Sequence, residues 1–254
     1  MEPVKAIGFD LFNTLITTDR NAIVKGLERI TLSLLRNKIN VEADAFRRAH
    51  RESAMRYIEK ARKDGKETHN SLWISSALKS FGYEIPPDHP IISEAVEAYF
   101  SGLLDLCQPI PGTIRMLEAL QTGYSLGLLS NFTHAPAAHK LLDRLGLSAL
   151  FHIILISGEL GFRKPHPSTF QNLIEKFGVE REKIIYIGDD PEPDIVGAHN
   201  AGLRPVWFTY VKDNNIPSSA GILKGRIEQP DFDVPRISSW DELFTLLPGN
   251  ENLL

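Results

Sequence analysis

The chain of 254 residues is 43% hydrophobic and 24% charged, with 28 Lys and Arg against 32 Asp and Glu, a formal net charge of −4. Such mild acidity excludes the bulk attraction by which a basic domain holds nucleic acid, and no uninterrupted apolar stretch approaches the roughly 18–20 residues of a membrane span. The start Met1-Glu2-Pro3-Val4-Lys5 does not read as a signal peptide, and the lone Cys107 fits a reducing cytoplasm rather than a disulfide scaffold, so the expectation is a cytoplasmic protein of small-molecule chemistry.

In chain order, Val4–Phe9 is a short apolar run that leads into Asp10 and is expected as a buried central strand. From Asn21 to Leu106 the spacing turns helical. Ile23, Leu27, Ile30 and Leu34 form one apolar stripe, and further helices are expected over Phe46–Lys63, Leu72–Phe81 and Ile91–Leu104, a small four-helix bundle. After Pro109-Ile110-Pro111-Gly112 the rhythm alternates. Helices over Thr113–Gln121, Ala137–Leu145, Ser168–Phe177 and Asp194–Ala201 are interleaved with strands over Tyr124–Leu129, Phe151–Ile156, Ile184–Ile187 and Pro205–Phe208. A short strand at Val234–Ile237 and a helix over Trp240–Leu247 close the series. Strands alternating with helices require crossover connections, hence an α/β fold with a parallel sheet covered on both faces. The first strand joins that sheet. The domains are then a discontinuous core, residues 1–16 and 109–254, and an inserted helical cap, residues 17–108.

Ligands of an open parallel sheet lie outside the carboxyl ends of the strands, near a topological switch point. Following each strand to its end gives Asp10-Leu11-Phe12-Asn13-Thr14, then Ser130-Asn131, then Lys164-Pro165, then Gly188-Asp189-Asp190 with Asp194 close behind. Converging carboxylates repel one another unless a cation balances them, and an oxygen-rich set suits Mg²⁺ with a phosphate ligand. Asp10 has the chemistry of a nucleophile, Lys164 that of a charge neutraliser, and the Ser130 hydroxyl that of an orienting group.

The stretches Phe9-Asp10-Leu11-Phe12-Asn13-Thr14-Leu15, Leu128-Leu129-Ser130-Asn131, Arg163-Lys164-Pro165-His166-Pro167 and Ile187-Gly188-Asp189-Asp190-Pro191-Glu192-Pro193-Asp194 together resemble the motifs of the haloacid dehalogenase-like hydrolase superfamily, in that family's order. The resemblance covers nearly the whole chain. It implies a Rossmann-like three-layer core, an aspartyl-enzyme intermediate at Asp10, and Mg²⁺ held by Asp10, Asp189, Asp194 and the backbone carbonyl of Phe12. It further implies that a small phosphorylated substrate is contacted by Ser130, Asn131, Lys164 and Thr14.

One departure matters: the family's phosphatases carry a second Asp two residues after the nucleophile, and here that residue is Phe12. General acid–base assistance is worth about 10²–10⁴ in rate, so substrates with good leaving groups are expected to suffer least. Three readings follow: a Mg²⁺-dependent phosphatase, an attenuated phosphate-binding regulatory protein, and a 2-haloacid dehalogenase. The last needs no metal and leaves the acidic cluster unbalanced. His134 and His166 lie near the rim by sequence as replacement acids. The basic stretch Arg47, Arg48, Arg51, Arg56, Lys60, Arg62 and Lys63 reads as a solvated helix face, with substrate recognition as the alternative. By charge, residues 17–108 carry +1 and the remainder −5, which places the acidity in the core.

Overall fold

The computed structural model describes residues 3–217 and 227–247; the ends of the expected core, residues 1–2 and 248–254, lie outside the described residues. Strands β1 (Ala6–Phe9) and β2 (Ile16–Thr18) are followed by four helices, α1 (Ala22–Arg36), α2 (Ala43–Asp64), α3 (Asn70–Lys79) and α4 (Pro90–Leu104), and then by β3 (Cys107–Pro109). The α/β series then runs α5 (Thr113–Leu120), β4 (Ser125–Ser130), α6 (Ala135–Arg144), β5 (Ile153–Ile156), α7 (Ser157–Leu160), α8 (Pro167–Phe177) and β6 (Ile184–Gly188). It ends with α9 (Gly197–Asn200), β7 (Arg204–Phe208), α10 (Tyr210–Asp213), β8 (Arg236–Ile237) and α11 (Trp240–Leu246).

Six strands form one parallel sheet in the order β5-β4-β1-β6-β7-β8. All four residues of β1 are buried, as expected of a strand covered on both faces. Period-2 alternation divides its neighbours between two apolar clusters. Ile7, Phe9, Leu126, Leu128, Ile185 and Ile187 face one side, while Ala6, Leu129, Ile184 and Tyr186 face the other with Phe170 and Leu173 of α8. On that second side Gly8 lies opposite Gly127. A Cβ at Gly8 would sit 2.8 Å from the Tyr186 ring, and one at Gly127 would sit 2.6 Å from Phe177. Gly8 thus leaves room for Tyr186 to lie across β1, and Gly127 leaves room for Phe177 of α8.

The four-helix segment is rooted by β2 and β3, an antiparallel pair joining Ile16 to Pro109 and Thr18 to Cys107. Sequence reading did not find these strands, because three residues are too few to show a period. A second attachment is the loop between α2 and α3. There the Glu67 N–H donates to the Gly161 carbonyl and the Arg163 N–H to the Gly65 carbonyl, each at 2.9 Å. The Glu67 carboxylate pairs with Arg163 at 3.2 Å, both side chains being buried. Thr133 is hydrogen-bonded to Asn70 beside it.

Two expected elements differ. The helix over Asp194–Ala201 is instead a π-helical turn, Pro191–Val196, continued by α9. Pro191 and Pro193 bring no N–H to a regular first turn, and the Asp190 carboxylate accepts the Glu192 N–H in their place. The last strand shrinks to Arg236–Ile237, since Pro235 cannot extend the ladder by donation. Among the described residues no helix is long and apolar enough to cross a membrane.

Candidate active site

Strand β1 lies between β4 and β6, where the sheet order reverses, so Asp10, Ser130 and Asp189 emerge side by side. The Asp10 N–H is held by the Ile187 carbonyl at 2.9 Å. Lys164 reaches the same point from the loop before α8 and is 2% exposed. Its Nζ lies 2.7 Å from each of Asp10 Oδ1, Asp194 Oδ1 and Tyr186 Oη, so all three ammonium hydrogens have acceptors. The Tyr186 hydroxyl in turn donates to the Leu129 carbonyl at 2.9 Å. Asn131 fixes the lysine from behind: its Oδ1 accepts the Lys164 N–H at 2.7 Å, and its Nδ2 donates to the Lys164 carbonyl at 3.0 Å.

Asp189 is anchored through its carbonyl, which accepts from Trp207 Nε1 at 2.9 Å. Asp194 Oδ2 accepts the Asp190 N–H at 3.0 Å. Its approach depends on Gly188, where an added Cβ would lie 2.4 Å from Asp194 Cβ. Carboxylate oxygens of Asp10, Asp189 and Asp194 lie within 4.8 Å of one another. Burial pushes the Asp10 carboxyl up to about 7; the negative charge of Asp194 adds to this, and Lys164 opposes it. Burial works against the Lys164 ammonium, yet Asp10 and Asp194 beside it hold its pKa well above the ordinary lysine range. Three hard oxygen donors facing a single ammonium leave negative charge unbalanced, and that donor set fits Mg²⁺.

Phe12 stacks parallel on Phe132, with centroids 5.4 Å apart and an interplanar angle of 1°. The pair presents an aromatic wall to the cavity beside Asp10. Asn13 takes the left-handed backbone with φ of 61°, a conformation Asn tolerates better than most residues, and its N–H donates to the Ile16 carbonyl.

A cavity of about 460 Å³ extends from this rim into the four-helix segment. Asp10, Phe12, Ser130, Asn131, Lys164, Asp189 and Asp194 all line it. Thr14 does not; it is wholly buried, and its hydroxyl has no partner. Neither replacement acid lies in the cavity wall. The His134 ring is engaged by His69 at 3.3 Å and by Glu97 at 2.8 Å, while His166 caps α8 and stacks on Phe162. Of the basic stretch, Arg47 and Arg51 do line the cavity, so one edge of that helix face is not simply solvated. Sequence reading missed Tyr186, the Glu67–Arg163 pair and His50. His50 also lines the cavity, and burial pushes its imidazole down to about 4. The one signal for Tyr186 was a polar tip within an otherwise apolar strand.

This chain belongs to the haloacid dehalogenase-like hydrolase family, whose model matches residues 4–202. It is accordingly a hydrolase. It is 30% identical over 213 residues to a glyceraldehyde 3-phosphate phosphatase of Pyrococcus furiosus, covering 84% of this chain and 83% of that one. It is 33% identical to the pyrimidine 5'-nucleotidase YjjG of Escherichia coli over 113 residues, 44% of this chain and half of that protein's length. In fold it is similar to a 2-haloacid dehalogenase of Pseudomonas syringae, with a TM-score of 0.72 at 23% identity, covering 96% of this chain and 98% of that one.

Proposed function

We propose that the chain is a Mg²⁺-dependent phosphatase of a small phosphorylated metabolite in the cytoplasm. The carrying observation is the buried Asp10 held by Lys164 at 2.7 Å among carboxylates with which it could share a cation. Asp10, Asp189 and Asp194, with the Phe12 carbonyl, would hold Mg²⁺, which supplies positive charge to the phosphoryl oxygens. An Asp10 oxygen attacks phosphorus while the bond from phosphorus to the leaving oxygen breaks, giving an aspartyl phosphate and an alkoxide. Phe12 has no proton to give, so the alkoxide takes one from water. A second water then attacks phosphorus, releasing inorganic phosphate and restoring Asp10. Lys164 fixes the nucleophile and balances its charge, Asn131 holds Lys164 in place, and Ser130 lines the phosphate end of the cavity. Residues 17–108 act as a cap on the core formed by 1–16 and 109–254, with β2 and β3 as its root and the cavity between them.

The stacked Phe12 favours one other reading, a phosphate-binding regulatory protein with little turnover. The three neighbouring carboxylates speak against metal-free dehalogenation. Phosphate release from p-nitrophenyl phosphate and alkyl phosphates, with and without Mg²⁺ and with Asp10→Asn as control, separates them. Mg²⁺-dependent release that is lost in Asp10→Asn and fastest with p-nitrophenyl phosphate is expected. No Asp10-dependent release from any substrate leaves the binding role, and chloride release from a 2-haloacid without metal indicates the dehalogenase.

A further inference from the structure

Beyond the carboxylates the cavity changes character. Its inner walls are Ile23, Leu27, Ala54, Ile58, Trp73 and Tyr99, drawn from all four helices. Among these walls sits His50, a buried polar group 5% exposed, whose Nε2 has no hydrogen-bond partner. Its ring neighbours those of Trp73 and Tyr99, at centroid distances of 6.1 and 6.2 Å.

We propose that the substrate is a phosphomonoester whose alcohol carries a largely apolar ring, which fills this chamber and hydrogen-bonds to His50. The inference rests on the phosphatase reading and names its substrate class. A cavity of about 460 Å³ falls in the range that encloses a substantial organic molecule. A three-carbon phosphate would occupy only the rim and leave an apolar chamber that water fills poorly. A ring gains by burying its faces against Trp73, Tyr99 and the aliphatic walls. The buried imidazole, neutral near pH 7, acts as donor or acceptor to one polar substituent without demanding a charge on the ligand.

The test is calorimetric binding to the whole protein with Mg²⁺, using phosphonates that cannot be hydrolysed: 1-naphthylmethylphosphonate against propylphosphonate. The ring compound is expected to bind at least about tenfold tighter. Ile23→Asp, or Val24→Lys at a more exposed position of the same cavity wall, should reduce that preference below about threefold while propylphosphonate affinity holds. Equal affinity for the two compounds, or a preference that both variants leave intact, overturns the inference. Asp10-dependent release from p-nitrophenyl phosphate is measured in parallel. Release without ring preference removes the substrate class alone. Ring preference without release supports the ligand class and removes turnover. Absence of both removes the two readings together.

Discussion

His50 couples the cavity to folding in a way that pH exposes. The ring is wedged among Phe46, Trp73 and Tyr99, and burial alone lowers its pKa from 6.5 to about 4. Tyr99, pushed up to about 12 by burial, stays neutral throughout that range and offers a protonated imidazole no counter-charge. In the unfolded chain His50 takes up a proton near its ordinary pKa; in the fold it does not. Between those values the unfolded state binds more protons, so stability rises with pH. The contribution is complete above about 6.5 and is lost as pH falls toward about 4. A span of about 2.5 pH units at about 1.4 kcal/mol each amounts to about 3 kcal/mol. Urea unfolding of the wild type and His50→Leu, in steps from about pH 7.5 to about pH 4.5, isolates this term because the other titrating groups cancel in the difference. The wild type should lose about 2–3 kcal/mol more than the variant over that interval. Two stability curves that stay parallel within about 0.5 kcal/mol would refute the buried, neutral imidazole.

Three further outcomes follow from the site. Glu67→Ala leaves Arg163 buried without its partner, and the loss of stability should be about 3–5 kcal/mol in urea unfolding; a loss below about 1 kcal/mol means the pair is solvated. Gly188→Ala places a Cβ 2.4 Å from that of Asp194, so Mg²⁺ affinity by calorimetry should fall at least about tenfold, while the folding cost stays in the range of about 1–3 kcal/mol seen for overpacking. Phe12→Asp restores a carboxyl to the rim, and turnover of alkyl phosphates should rise by up to about 10²–10⁴ with little change for p-nitrophenyl phosphate; an equal change for both means that proton donation is not what Phe12 removed.

What could be read in the sequence is what one stretch of chain encodes by itself. Asp10, Ser130, Lys164, Asp189 and Asp194 each follow a short apolar run or sit in a loop of recognisable spacing, and the parallel sheet that gathers them follows from alternating strands and helices. The supports of these residues are not local. Tyr186 reaches Lys164 across β1 because its pairing partner there is Gly8, where a Cβ would lie 2.8 Å from the Tyr186 ring, a fact of strand pairing that neither strand announces alone. Glu67 and Arg163 lie far apart in the chain and meet through a loop with no period. The helical segment shows the same division more sharply. Its four helices were visible from their spacing, but the chamber they enclose takes walls from each, so the spacing on α2 left the basic stretch open between a solvated face and substrate recognition, and did not show that Arg47 and Arg51, with His50 beside them, line a cavity. The motifs therefore report the carboxylates and the lysine that meet at the rim, while the shape of the chamber beyond them rests on helix packing that becomes visible only once the four helices are assembled.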